Sequence, residues 1–184
     1  GGFQNTIAGT FDAFLVKFTG SGNRLWATYY VGTSGDWGFK ITSDPSGNIY
    51  MAGYTNNVSG IASGGFQNVF GGGNYDAFLV KFSGSGARLW ATYYGGSGDD
   101  MAYDVVTDAT GNVYLTGHTR NSTGIASGGF QNTYVGSDDA FLVKFSTSGT
   151  RLWATYYGEA GADLGNSVIP DGSGNVYLAG ITTS

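Results

Sequence analysis

From Asp76 to Tyr94 the chain reads DAFLVKFSGSGARLWATYY, two apolar runs separated by a short Ser/Gly segment. In an extended chain Phe78, Val80 and Phe82 point to one side and Ala77, Leu79 and Lys81 to the other. In the second run Leu89, Ala91 and Tyr93 alternate with Trp90, Thr92 and Tyr94. The pattern predicts a β-hairpin. Because both of its faces are apolar or aromatic, the hairpin should be packed between layers, with neither side left wet. The stretch recurs at residues 12–30 and 139–157 with FLVKF and RLWATYY unchanged. No segment shows the apolar period of a helix.

A second hairpin follows each copy of the first. After the Gly-rich link Gly95–Asp100, strands are predicted at about 103–107 and 112–119, joined through Asp108-Ala-Thr-Gly-Asn112. The same turn reads Asp44-Pro-Ser-Gly-Asn48 and Asp171-Gly-Ser-Gly-Asn175 in the other copies. The Asp and Asn at these places serve the turn, since Asp bonds backbone two residues on and Gly supplies the left-handed conformation. A long loop then leads to the next period; residues 57–68 and 121–132 share IASGGFQN, with Phe66 and Phe130 as expected anchors. Asp12, Asp76 and Asp139 lie 64 and 63 residues apart, and the extra residue falls in Val69–Tyr75, the tolerant loop.

Four antiparallel strands per repeated period point to a blade of a β-propeller. The segments DAFLVKF, RLWATYYGGSGDD and DATGNVYLTGHT resemble the SBBP-type repeat of bacterial propeller proteins. The resemblance spans essentially the whole chain as one array, with copies at about 1–63, 64–127 and 128–184. It implies an all-β fold of four-stranded antiparallel blades and a secreted or cell-surface location. The family is defined by its repeat and not by an activity.

Composition agrees with strands and turns: 34 Gly, 13 Tyr and 12 Phe against 11% charged residues. A formal charge of −5, with no basic run, argues against nucleic acid as a partner. No apolar run approaches the roughly 20 residues that span a bilayer, so no membrane insertion is expected. The 184 residues include no cysteine, which excludes a disulfide framework and thiol chemistry. The chain opens on Gly1-Gly2-Phe3 with neither an initiator Met nor a signal sequence, and is read as a mature or internal piece.

With the second hairpin as the inner pair of a blade, the chain begins on an outer pair and ends on an inner pair. Ser184 stands in register with Asn57 and Asn121, so roughly six loop residues separate the end of one array from the start of another. Three blades are too few to close, because propellers use about four to eight. Self-association through shared blades, as a six-bladed dimer or an open filament, or union with the rest of a longer propeller, is therefore expected.

Candidate chemistry is sparse. His118 shares its position with Tyr54 and Ile181, which suits packing better than general-base work. Without Cys or a second His, no catalytic constellation, resident metal or cofactor is expected. Gly95–Asp100 carries the letters GGxGxD but once per period, unlike the short-period repeats that bind calcium. Asp36, Asp100 and Asp163, present in every copy, would satisfy backbone at a strand end; a ring of acids on the channel is the sharper alternative. The copies differ at Trp37, Phe39 and Lys40, at Tyr103 and Asp104, and at Asn166 and Ser167, positions expected to face the channel or its mouth and to read a sugar or peptide. Asn57-Val-Ser59 and Asn121-Ser-Thr123 are sequons in loops expected to be exposed, hence glycosylation candidates. The expected role is structural or adhesive and non-enzymatic, with a lectin-like glycan- or peptide-binding module as the alternative.

Overall fold

A computed structural model describes residues 1–183 as twelve β-strands. They are β1 Ala13–Phe18, β2 Arg24–Tyr30, β3 Asp36–Ser43, β4 Ile49–Thr55, β5 Asp76–Phe82, β6 Arg88–Tyr94, β7 Asp100–Thr107, β8 Val113–Thr119, β9 Asp139–Phe145, β10 Arg151–Tyr157, β11 Asp163–Pro170 and β12 Val176–Thr182. Strands β3 to β6 form one four-stranded antiparallel sheet and β7 to β10 a second. The pairs β1–β2 and β11–β12 stand as two-stranded sheets. Ser184, the residue placed in register with Asn57, lies outside the described residues.

Each full sheet joins the inner hairpin of one period to the outer hairpin that follows it. Strands β3, β7 and β11 touch one another in succession, which makes them the innermost strands of neighbouring blades. Among the described residues the sheets do not close a ring.

Cores lie between sheets, as the two-faced hairpin predicts. Phe78, Val80 and Phe82 pack with Ala13, Leu15 and Tyr30 of the preceding sheet and with Ile61 of the long loop. The other face, with Ala77 and Leu79, packs with Val105, Leu115 and Phe141 of the following sheet. A smaller core joins Tyr114 and Leu142 to Val168. Every residue of β5 is buried in consequence.

Two residues retained in every copy stitch blades together. Lys81 Nζ and Trp90 Nε1 both donate to the Thr147 carbonyl in the next blade, at 3.2 and 3.1 Å. Lys17 and Trp26 do the same to Gly84. Lys81 also pairs with Asp44 at 3.2 Å inside its own blade, so the turn aspartate has a second duty beyond the turn itself. In that turn Asp44 Oδ1 accepts from the backbone of Ser46 and Asn48, and Gly47 takes φ +78°.

Both hairpin types carry a β-bulge that alternation alone does not announce. In the outer hairpins the unmatched residues are Leu25, Leu89 and Leu152, which explains why these leucines are exposed in every copy. In the inner hairpins the unmatched residues are Phe39, Tyr103 and Asn166.

Candidate functional site on the inner strands

The inner bulges decide which side chains are displayed. Gly38 faces Gly53 and Lys40 faces Ala52, leaving Phe39 without an opposite residue. The same slip isolates Tyr103 between Ala102 and Asp104, and Asn166 between Gly165 and Ser167. A bulge turns its extra residue away from the regular alternation, and Phe39 stands 52% exposed. The accommodation is on the partner strand: a Cβ on Gly53, Gly117 or Gly180 would overlap the carbonyl oxygen of Trp37, Met101 or Leu164. A glycine inside an otherwise apolar strand was therefore the sequence signal for these bulges.

Apart from Asn166, which stands exposed on its bulge, the residues that differ among copies come together in two rows. In the first, Lys40 Nζ lies 3.4 Å from Asp104 Oδ1, while Asp104 Oδ2 accepts from Ser167 Oγ at 3.2 Å and from the Val168 backbone at 2.9 Å. One polar chain thus runs across β3, β7 and β11. Asp104 is buried and Lys40 half exposed.

The second row is aromatic. Phe39 stacks on Tyr54 with centroids 5.2 Å apart and meets Tyr103 edge-on at 6.3 Å. Trp37 packs on Tyr54 at 5.1 Å and on Tyr75 at 5.5 Å, and Tyr103 covers His118 at 5.4 Å. These rings lie where β3 and β7 begin and where the long loops return, at one mouth of the inner face. Next to them Arg120 donates from Nε to Asp138 at 2.7 Å and lies 3.7 Å from Asp99. Tyr54, Tyr75, Arg120 and Asp138 were not among the sequence candidates, because they belong to other strands and loops that only the fold brings near Phe39.

His118 is buried, with Nε2 3.6 Å from Asp138. Burial depresses its pKa, with Asp138 opposing the shift. It supports the Tyr103 ring and does not face solvent.

The repeated aspartates are not on the inner face. Asp36, Asp100 and Asp163 are buried at strand starts, where they accept from the backbone of Gly32, Gly96 and Glu159 at 2.8 to 3.0 Å. This is the strand-end role, and it removes the alternative of an acidic ring on the channel. The Gly95–Asp100 link folds back on its own aspartate in this way.

The sequon asparagines require a correction. Asn57 and Asn121 are each 2% exposed, and their Nδ2 groups donate to Asp36 and Asp100 at 2.9 and 2.6 Å. The nitrogens that would carry a glycan are consumed inside the strand-end network, so the folded chain does not present them. Ser/Thr/Asn-rich loops look exposed in sequence, but an amide is also the natural partner of a buried carboxylate.

Residues 25–60 and 89–123 match the family described as the SBBP beta-propeller repeat. Two of its three periods thus match an SBBP propeller repeat. Each matched segment runs from an outer strand through the link and the inner hairpin into the long loop, the unit that builds the blades above. The third copy, whose link has Glu159, Ala160 and Ala162 where the second has Gly96, Ser97 and Asp99, lies outside the matched segments. The chain is also 26% identical over 206 aligned positions to a protein described as an uncharacterized WD repeat-containing protein, L264, of Acanthamoeba polyphaga mimivirus. That alignment covers 96% of this chain and 15% of the relative, so the chain spans about a seventh of that protein's length.

Proposed function

We propose that this SBBP array is a non-catalytic structural or adhesive propeller section, displayed outside the cell, that completes its blades by pairing with further repeats or with copies of itself. One observation carries the reading. Side chains buried at internal blade junctions are exposed at the two ends: Phe14 is 68% exposed where Phe78 and Phe141 are fully buried, and Tyr177 is 60% exposed where Tyr50 and Tyr114 are 2% or less. The end pairs are complementary. By the register of β4 on β5 and β8 on β9, β12 of one array takes β1 of another with Ile181 opposite Ala13 and Val176 opposite Phe18. The same superposition brings Lys17 to Asp171, as Lys81 meets Asp44, and Phe130 to Phe18 and Arg24, as Phe66 meets Phe145 and Arg151.

Light scattering across a concentration series tests this. A mass near twice 19.1 kDa corresponds to a six-bladed closed pair, and a growing distribution to a filament. A stable, strictly monomeric species would overturn the reading.

A second reading, that the mouth of the inner face is a binding module, is favoured by the bulges that put Phe39, Tyr103 and Asn166 on display.

A further inference from the structure

We propose that the aromatic mouth is a subsite for a neutral pyranose saccharide. This rests on the second reading above, that the mouth binds a ligand, and names the ligand's chemistry.

Two populations of tyrosine distinguish the mouth from the blade interior. Tyr30, Tyr93, Tyr94 and Tyr156 are buried, and each hydroxyl donates to a backbone carbonyl: Ile61, Asn57, Ile125 and Asn121 respectively. Those residues are structural, since a buried tyrosine must satisfy its polar tip. At the mouth, the hydroxyls of Tyr54 and Tyr75 have no hydrogen-bond partner among the described residues, and Tyr103 reaches only the Met101 sulfur at 3.8 Å. Their rings are nevertheless held in place by neighbouring rings, Tyr54 between Phe39 and Trp37 and against Tyr75 at 5.2 Å.

The result is a fixed apolar platform edged by hydroxyls with unused bonding capacity. A pyranose matches that pairing of demands, because it offers a C–H face to an aromatic ring and hydroxyls that both donate and accept around its rim. A binding surface of mostly aromatic character with a few fixed polar groups is the general form of a small-ligand site.

Charge selects within that class. Lys40 is paired with Asp104, and Arg120 lies between Asp138 and Asp99. Two cations stand against three carboxylates, so an added anion meets net negative charge. Acidic sugars are disfavoured and neutral ones admitted. The Arg120 guanidinium, 54% exposed, keeps donors for ring or hydroxyl oxygens.

Calorimetric titration of the chain with chitotetraose and cellotetraose tests the proposal, with tetragalacturonate and an aromatic-rich peptide as comparisons. A neutral tetrasaccharide should bind with Kd below about 1 mM. Phe39→Ala should weaken binding at least about tenfold, and Tyr54→Phe with Tyr103→Phe about fivefold, the effect of roughly one hydrogen bond. Circular dichroism and the melting temperature report whether each variant keeps its fold; the tyrosine pair keeps its rings, so it separates hydroxyl contacts from packing. Binding of the peptide alone, tighter binding of tetragalacturonate, or neutral-sugar binding indifferent to these variants would overturn the saccharide assignment while leaving the mouth's capacity to bind intact. No binding by any probe would overturn both.

Discussion

Lys81 shows how one side chain can be fixed by several demands at once. Its ammonium meets Asp44 at 3.2 Å, the Thr147 carbonyl at 3.2 Å and the Tyr50 ring at 5.0 Å. Both charges of the pair are more than nine-tenths buried, so removing one strands the other in low dielectric. Lys81→Met should cost about 3 kcal/mol in urea unfolding. Lys144→Met should cost about 1 kcal/mol, because the Lys144–Asp108 pair is longer, at 3.6 Å, and better solvated. Equal losses would show that burial does not set the difference. The strand-end aspartates make a second prediction. Burial pushes the Asp76 carboxyl up to about 7 and the Asp100 carboxyl up to about 6, against the lowering effect of backbone donors. The folded state then holds protons that the unfolded chain has released, so their contribution to stability is full below pH 4 and is lost as pH rises through about 7. Asp108 runs the other way: burial opposes the shift, but bonds from Thr110 and Asn112 hold it at about 2, so acid below pH 4 removes its contribution. The melting temperature should therefore fall by roughly 5 °C from pH 5 to 7.5, and Asp76→Asn should flatten that slope. A curve rising through this window would contradict the assignment.

At the scale of elements, the hairpins were legible because alternation and turn chemistry are local. The outer pair follows from FLVKF and RLWATYY and the inner pair from the Asp-x-x-Gly-Asn turn, and each hairpin formed about its predicted turn, although β7 starts at Asp100, three residues before the predicted strand. The bulges were not read. Alternation assumes one residue opposite one, and a slip at Gly38/Lys40 leaves the surrounding pattern intact. The trace was the strand glycine, present in all three inner hairpins at Gly53, Gly117 and Gly180. Gly117→Ala should destabilise by more than about 3 kcal/mol, because the new methyl meets the Met101 carbonyl, a rigid backbone neighbour. Gly20→Ala, where a Cβ meets nothing, should be close to neutral. Chemical denaturation of the two variants checks the contrast; similar stabilities would remove the bulge as the reason for the glycine.

At the scale of the whole molecule, blade junctions decide what is buried. Phe66 contacts Tyr94 and Phe145 and lies under the Arg151 guanidinium, 4.4 Å from its ring. Phe130, its counterpart, is 87% exposed, so the anchor expected there is not made within this chain. The proposed junction restores it. Lys17→Glu should abolish assembly in light scattering, and Lys17→Glu combined with Asp171→Lys should restore it, since the exchange reverses one ion pair without changing the register. Loss without rescue would place the energy of assembly in the apolar faces alone.

The sequence by itself determined where the hairpins fall, their grouping into four-stranded blades and the inner hairpin that carries Phe39, Tyr103 and Asn166. These follow from alternation, turn residues and period, all of which act over a few residues or recur at a fixed spacing. Tertiary structure alone decided that Asn57 and Asn121 are consumed by Asp36 and Asp100, that Lys40, Asp104 and Ser167 form one polar chain, and that Tyr54, Tyr75 and Arg120 join the mouth. Each depends on which groups meet across strands and blades, and burial and partner choice at such a distance are set by how the blades pack against one another.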